Sequence, residues 1–220
     1  MSRVELPTVE VHEMKTATID EMHGIADAVD PRYRALVLTA GYGGFRMGEL
    51  VALRQGRIDF LRGRIEIAEN APEVDGHLAF GSPKSKAGRR TVDMPRSVIE
   101  ALGAHIASYG NGPDPDALVF AGERGGPLRP RNFRSRFWLP TLESVGMTGL
   151  RFHDLRHTAV RLWIEDGANP KHVAVRAGHR SVAVVLDRYG HLYPDAAEGL
   201  VTRLEDRFKA AKPKPRQTAM

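Results

Sequence analysis

The sequence contains no cysteine, which excludes disulfides, thiolate nucleophiles and cysteine metal ligation. It has no continuous apolar run long enough to cross a bilayer. Its opening residues, MSRVELPTVE, carry neither the basic start nor the apolar stretch of an export signal. No G-x-x-x-x-G-K-S/T loop is present to cradle a nucleoside triphosphate, and no carboxylate cluster suggests a two-metal nuclease. What is there is a chain of 220 residues, 42% hydrophobic, enough for one core with at most an appendage. Lys and Arg number 32 against 27 Asp and Glu, a net charge of +5. That balance suits a polyanionic partner, although it is modest for the size.

Local signals divide the chain. Residues 1–17 are polar, broken by Pro7, and read as a lead-in or linker. Thr18-Ile-Asp-Glu21 is a capping box ahead of Met22, Ile25 and Val29. Asp30-Pro31 starts a second helix carrying Tyr33, Leu36, Val37 and Leu38. Gly41, Gly43 and Gly44 predict a turn into Phe45–Leu50, with a short helix from about Met47 to Leu53. From Arg57 to Pro95 the pairs Ile58/Phe60, Ile65/Ile67, Leu78/Phe80 and Val92/Met94 alternate with polar residues. That pattern predicts one antiparallel meander with a tight connection at Lys86–Arg89. Helical spacing returns at Val98, Leu102, Ile106 and Tyr109, followed by a Pro- and Gly-rich loop over 110–130 that holds the short run Leu118-Val-Phe120. Further helices are expected over 131–145, 153–166, 170–177, 182–189 (with Ser181 as N-cap) and 195–209. Residues 210–220 read as a disordered basic tail. The fold class is mainly α with a small antiparallel β-sheet.

The chemistry concentrates in Phe152-His153-Asp154-Leu155-Arg156-His157-Thr158. On a helix His153, Arg156 and His157 share a face, which suits an oxyanion: Arg forks onto phosphate oxygens and imidazole donates or relays a proton. The bland alternative is a structural histidine beside a surface arginine. His153 and His157 also have the H-x-x-x-H spacing of a zinc helix, but no third ligand is specified and Arg156 would sit between them. Tyr189 can attack phosphorus only if cations stabilise its phenolate; otherwise it is a core aromatic.

In order along the chain stand Gly44-Phe45-Arg46-Met47-Gly48-Glu49-Leu50, Ser85-Lys86-Ala87-Gly88, His153 to Arg156, Gly178-His179, and Tyr189 in Arg188-Tyr-Gly-His191. Five such pieces with fitting separations resemble the catalytic domain of tyrosine recombinases, the phage-integrase family, over roughly residues 7–209. The resemblance implies a catalytic domain over 18–209 and assigns roles. Arg46 and Arg156 clamp the scissile phosphate. Lys86 protonates the departing 5′ oxygen, His153 assists proton transfer at the nucleophile, His179 bonds a phosphate oxygen, and Tyr189 forms a 3′-phosphotyrosine. Glu49 and Asp154 would orient Arg46 and the histidine/arginine face. Neither ATP nor a divalent metal is required, so no cofactor or metal is expected. Tyr193 is the rival nucleophile and Lys84 the rival lysine.

The implied partner is double-stranded DNA bearing attachment sites, contacted by candidates Arg89, Arg90, Arg131, Arg134, Arg136 and Arg151. Relatives place a core-binding domain ahead of the catalytic one, so the chain reads as a fragment. It is expected to be a homo-tetramer on DNA when full length, a monomer alone, cytoplasmic, nucleoid-associated and free of membrane. A topoisomerase-like nicking-closing enzyme of type IB and a non-catalytic DNA-binding module are the alternatives.

Overall fold

A computed structural model describes residues 14–83, 85–110, 112–193 and 199–211, with the backbone alone at Lys86. The expectations for the first residues of the lead-in, for Lys84, for the start of the last helix and for nearly all of the basic tail lie outside the described residues.

The first two helices start where their caps predict. Helix α1 (Ile19–Ala28) opens on the reciprocal bonds of Thr18 and Glu21. Helix α2 (Pro31–Gly43) opens on Asp30, whose carboxylate accepts from the Arg32 amide. The glycine cluster turns the chain later than its composition suggests. Gly41 and Gly43 remain helical and leave room for the side chains of Met22 and Phe45. Gly44 alone makes the turn, at φ +62°, where a side chain would be strained. The chain then enters α3 (Met47–Val51).

The alternating segment is two sheets rather than one meander. Strands β1 (Ile58–Asp59), β2 (Arg64–Ile67) and β5 (Arg90–Asp93) form an antiparallel sheet in the order β1-β2-β5. Strands β3 (Glu73–Val74) and β4 (His77–Leu78) pair separately. The Lys86 connection is a 3₁₀ turn, Lys86–Gly88, leading directly into β5. Helix α4 (Arg96–Tyr109) follows. The predicted helix over 131–145 exists with a defect: α5 (Pro130–Phe133) passes through a π turn (Arg134–Trp138) into α6 (Leu139–Ser144). The widened turn lets Phe133 and Trp138 both face inward, with ring centroids 6.2 Å apart.

Helices α7 (Asp154–Glu165), α8 (Pro170–Ala177) and α9 (Ala183–Tyr189) complete the site-bearing part, and α10 (Leu200–Ala210) lies beyond. Ser181 does not cap α9; its N-cap is Val182, without a side-chain bond. One core cluster joins α1, α2, α4, the three-stranded sheet and the α5–α6 segment. A second holds Val160, Ile164, Val173, Ala174, Ala177, Val185 and Tyr189. Among the described residues no helix is long and apolar enough to cross a membrane.

Candidate active site

Arg46 stands at the start of α3, immediately beyond the Gly44 turn. Its Nη1 and its backbone N–H both donate to Glu49, each at 2.9 Å. Glu49 is 3% exposed and also receives both Nη atoms of Arg90, again at 2.9 Å. Burial would raise the Glu49 pKa, but the hydrogen bonds and charges of Arg90 and Arg46 outweigh it and hold the carboxyl below its ordinary value. Glu49 thus orients Arg46, whose side chain remains 40% exposed and free to meet an anion.

Arg156, buried on α7, donates to the carbonyls of Gly44 and Ala177, the ends of α2 and α8. Burial, then the positive charge of Arg46, lowers its pKa; a guanidinium nevertheless stays charged at physiological pH. Gly178 ends α8 at φ +67° and turns the chain so that His179 follows with its amide on the Ala174 carbonyl. The His179 Nδ1 is buried without a partner. Its pKa falls to about 4, through burial and then Arg156 and Arg46, so the ring is neutral at pH 7. Arg46, Glu49 and His179 line one open cavity of about 370 Å³, together with Asn70, Ser85, Gly88 and Arg180. Nothing in the sequence pattern marks Asn70; Arg180 adjoins the Gly-His pair.

Tyr189 closes α9, is 2% exposed and is not among the residues that line this cavity. Its hydroxyl shares a 2.6 Å hydrogen bond with Nδ1 of His157. Burial raises the phenol pKa, with Arg156 and Arg188 opposing. Burial, then His153, lowers that of His157 to about 4. The partner of the tyrosine is therefore His157. His153 is exposed at the α7 N-cap, its ring edge-on to His157 at 5.2 Å. The Tyr193 hydroxyl is buried without a partner.

Two expectations change. Arg90 does not face DNA: on β5 it alternates inward with Val92, and its side chain is 4% exposed. Asp154 does not orient the histidine/arginine face; its buried carboxylate accepts from the amide and guanidinium of Arg151. Arg151 is paired but exposed, as is Arg136 with Glu123. Arg89, Arg131 and Arg134 are also exposed. The 3₁₀ turn of Lys86 forms the rim of the cavity, where Ser85 and Gly88 line it. Among the described residues no group of three His, Asp or Glu could hold a metal ion, and His157 Nδ1 is engaged by Tyr189.

A helical domain with a small sheet, two arginines and a histidine drawn together from distant segments, and a tyrosine beside them defines a tyrosine recombinase catalytic domain. The chain belongs to the phage integrase family, which it matches over residues 14–195; site-specific recombination and integration are that family's activities. It is 33% identical over 184 residues to the prophage phiRv2 integrase of Mycobacterium tuberculosis, covering 82% of this chain and 48% of that one. It is 29% identical over 170 residues to the ICEBs1 integrase of Bacillus subtilis, covering 74% and 46%. The chain spans about half the length of these relatives. Among solved structures, the Tn1549 transposon integrase in complex with a circular intermediate DNA superposes with a TM-score of 0.73 at 17% identity, covering 90% of this chain and 67% of that one. The catalytic domain of bacteriophage HP1 integrase gives 0.60 at 16%, covering 91% and 100%.

Proposed function

We propose that this chain is the catalytic part of a site-specific recombinase that cuts and rejoins duplex DNA through a 3′-phosphotyrosine, in the integration or excision of a mobile element. The observation that carries the reading is one cavity lined by Arg46, His179 and a Glu49 already neutralised by two arginines, with Arg156 fixed between the ends of α2 and α8. A phosphodiester placed there faces surplus positive charge and neutral imidazole. Arg46 and Arg156 stabilise the charge that develops on the non-bridging oxygens, and His179 offers a ring N–H to one of them. The Tyr189 oxygen forms the new bond to phosphorus and gives up its proton to Nδ1 of His157, its neutral hydrogen-bond partner; the bond to the 5′ oxygen breaks, and that oxygen takes a proton from Lys86. A 5′ hydroxyl of a partner strand reverses the step.

Residues 18–209 form the catalytic domain in this reading, with Arg89, Arg131, Arg134, Arg136 and Arg151 as backbone contacts to DNA. The protein works as a homo-tetramer on two sites in the cytoplasm, at the nucleoid. The Tn1549 relative, solved with DNA, and the prophage and ICEBs1 relatives support duplex DNA and mobile-element movement.

The test incubates the chain, without divalent metal, with a pool of nicked duplexes of randomised sequence and looks for a covalent adduct on a denaturing gel. An adduct that Tyr189→Phe abolishes and Tyr193→Phe retains is expected. Adduct formation by Tyr189→Phe overturns the reading. Relaxation of a supercoiled plasmid without strand exchange would instead favour a nicking-closing enzyme.

A further inference from the structure

Arg90 is not among the residues that line the cavity, yet it binds three of the segments that form it. Both Nη atoms grip Glu49, the carboxylate that orients Arg46. Nη1 also donates to the carbonyl of Gly88, the last residue of the 3₁₀ turn that begins at Lys86, at 3.2 Å. Nε donates to the carbonyl of Arg176 at 2.8 Å, in the final turn of α8 before Gly178 and His179. The fit at that junction is close. A Cβ on Gly178 would lie 2.9 Å from Arg90 Nη1 and 3.0 Å from the Ala87 carbonyl. The guanidinium lies over the Phe45 ring at 5.6 Å, next to Arg46 in sequence. One planar fork therefore spends its donors on three chain segments at fixed angles, which an ammonium cannot reproduce.

We propose that Arg90 is a positioning residue for the strand-cleavage reaction: by joining Glu49, Gly88 and Arg176 it fixes the Lys86 turn against the phosphate site. This rests on the recombinase reading, in which Lys86 protonates the departing 5′ oxygen. Arg90 itself touches neither the phosphate nor the leaving group. Its loss leaves Glu49 to Arg46 alone and frees the base of the turn from α8, so the backbone that carries Lys86 shifts against the phosphate site. A displacement of about 1 Å is enough to cost on the order of a hundredfold in rate.

The experiment follows adduct formation by the full chain on two pools of nicked duplexes of randomised sequence. One has the ordinary 5′ oxygen at the scissile phosphate; the other has sulfur in its place, a leaving group that departs as thiolate and needs no proton. Lys86→Ala is expected to slow cleavage of the oxygen pool by on the order of a hundredfold and to act near the wild-type rate on the sulfur pool. Arg90→Lys is expected to follow the same pattern, at least about tenfold slower on oxygen and largely restored on sulfur. Arg90→Gln, which keeps a donor for Glu49 without the fork, serves as second variant. Both are assayed in a buffer with sucrose, which favours the compact state, with folding followed by circular dichroism.

An Arg90→Lys variant equally slow on both pools, or as fast as wild type on oxygen, overturns the positioning role. Failure of the underlying reading looks different: wild type forms no adduct, Tyr189→Phe still does, or Lys86→Ala shows no difference between the pools.

Discussion

Glu49 keeps a negative charge at 3% exposure because two guanidinium groups converge on it. Removing one member of a buried ion pair leaves the others uncompensated and costs about 3–5 kcal/mol. Glu49→Gln is therefore expected to lower the unfolding free energy by that amount in a urea titration, whereas Arg134→Ala, on the exposed side of the π turn, changes it by less than about 0.5 kcal/mol. His157 and His179, whose pKa burial and nearby positive charge bring down to about 4, set the acid limit. In the unfolded chain they bind protons below about 6.5, and in the folded protein only below about 4. Protons thus favour the unfolded state in that window. Stability is complete above it and falls as the pH drops through it, by on the order of 3 kcal/mol at His157. Glu49 adds its loss lower still, as its carboxyl begins to protonate. Melting temperatures from pH 8 downwards are expected to hold until about pH 6.5 and then decline. His157→Phe should flatten that decline, and a double-mutant cycle with Tyr189→Phe should return a coupling of about 1 kcal/mol for the hydrogen bond between them.

At the scale of elements, what could be read from the sequence is what neighbours decide. Thr18 with Glu21 and Asp30 with Pro31 set their helix starts within one turn, and of the motif residues Arg46 and His179 come to line one cavity. The π turn is not legible in the local pattern because an apolar spacing of five, Phe133 to Trp138, does not belong to a regular helix. The fate of Arg90 was half visible: it shares strand parity with Val92, so the alternation that predicted β5 also turned Arg90 inward. Its partner Glu49 lies in another segment, and no local pattern reveals that a buried charge will be met there. The bond between His157 and Tyr189 likewise depends on how α7 and α9 pack.

Helix α10 is a different case. None of its residues is buried, and Leu200, Val201, Leu204 and Phe208 lie exposed, so it contributes little to the stability of the chain on its own. Truncation after Tyr193 is expected to leave the melting temperature within about 2 °C. In the proposed homo-tetramer the exposed apolar row of α10 offers a surface to a neighbouring subunit, so the same truncation is expected to reduce assembly on DNA, as size-exclusion chromatography with a duplex pool would report.

For the whole molecule, a net charge of +5 on 220 residues is too small to hold DNA by its sum, so affinity depends on where the arginines stand. Arg131 lies on α5 and Arg134 and Arg136 in the π turn that follows it, and all three are exposed. Arg136 is committed to Glu123 at 2.7 Å, and a phosphate must compete for it. Each arginine that neutralises a phosphate releases condensed counterions, so the logarithm of the binding constant falls linearly with the logarithm of salt concentration. In a fluorescence titration of a random-sequence duplex, Arg134→Ala should weaken binding for all sequences alike and reduce the magnitude of that slope by about one. Arg136→Ala should change it less, because the wild-type side chain must first leave Glu123. Arg90→Lys, buried at the junction of β5 and α8, should leave the slope as it is while impairing cleavage. An unchanged slope in Arg134→Ala would place the DNA on another face of the domain.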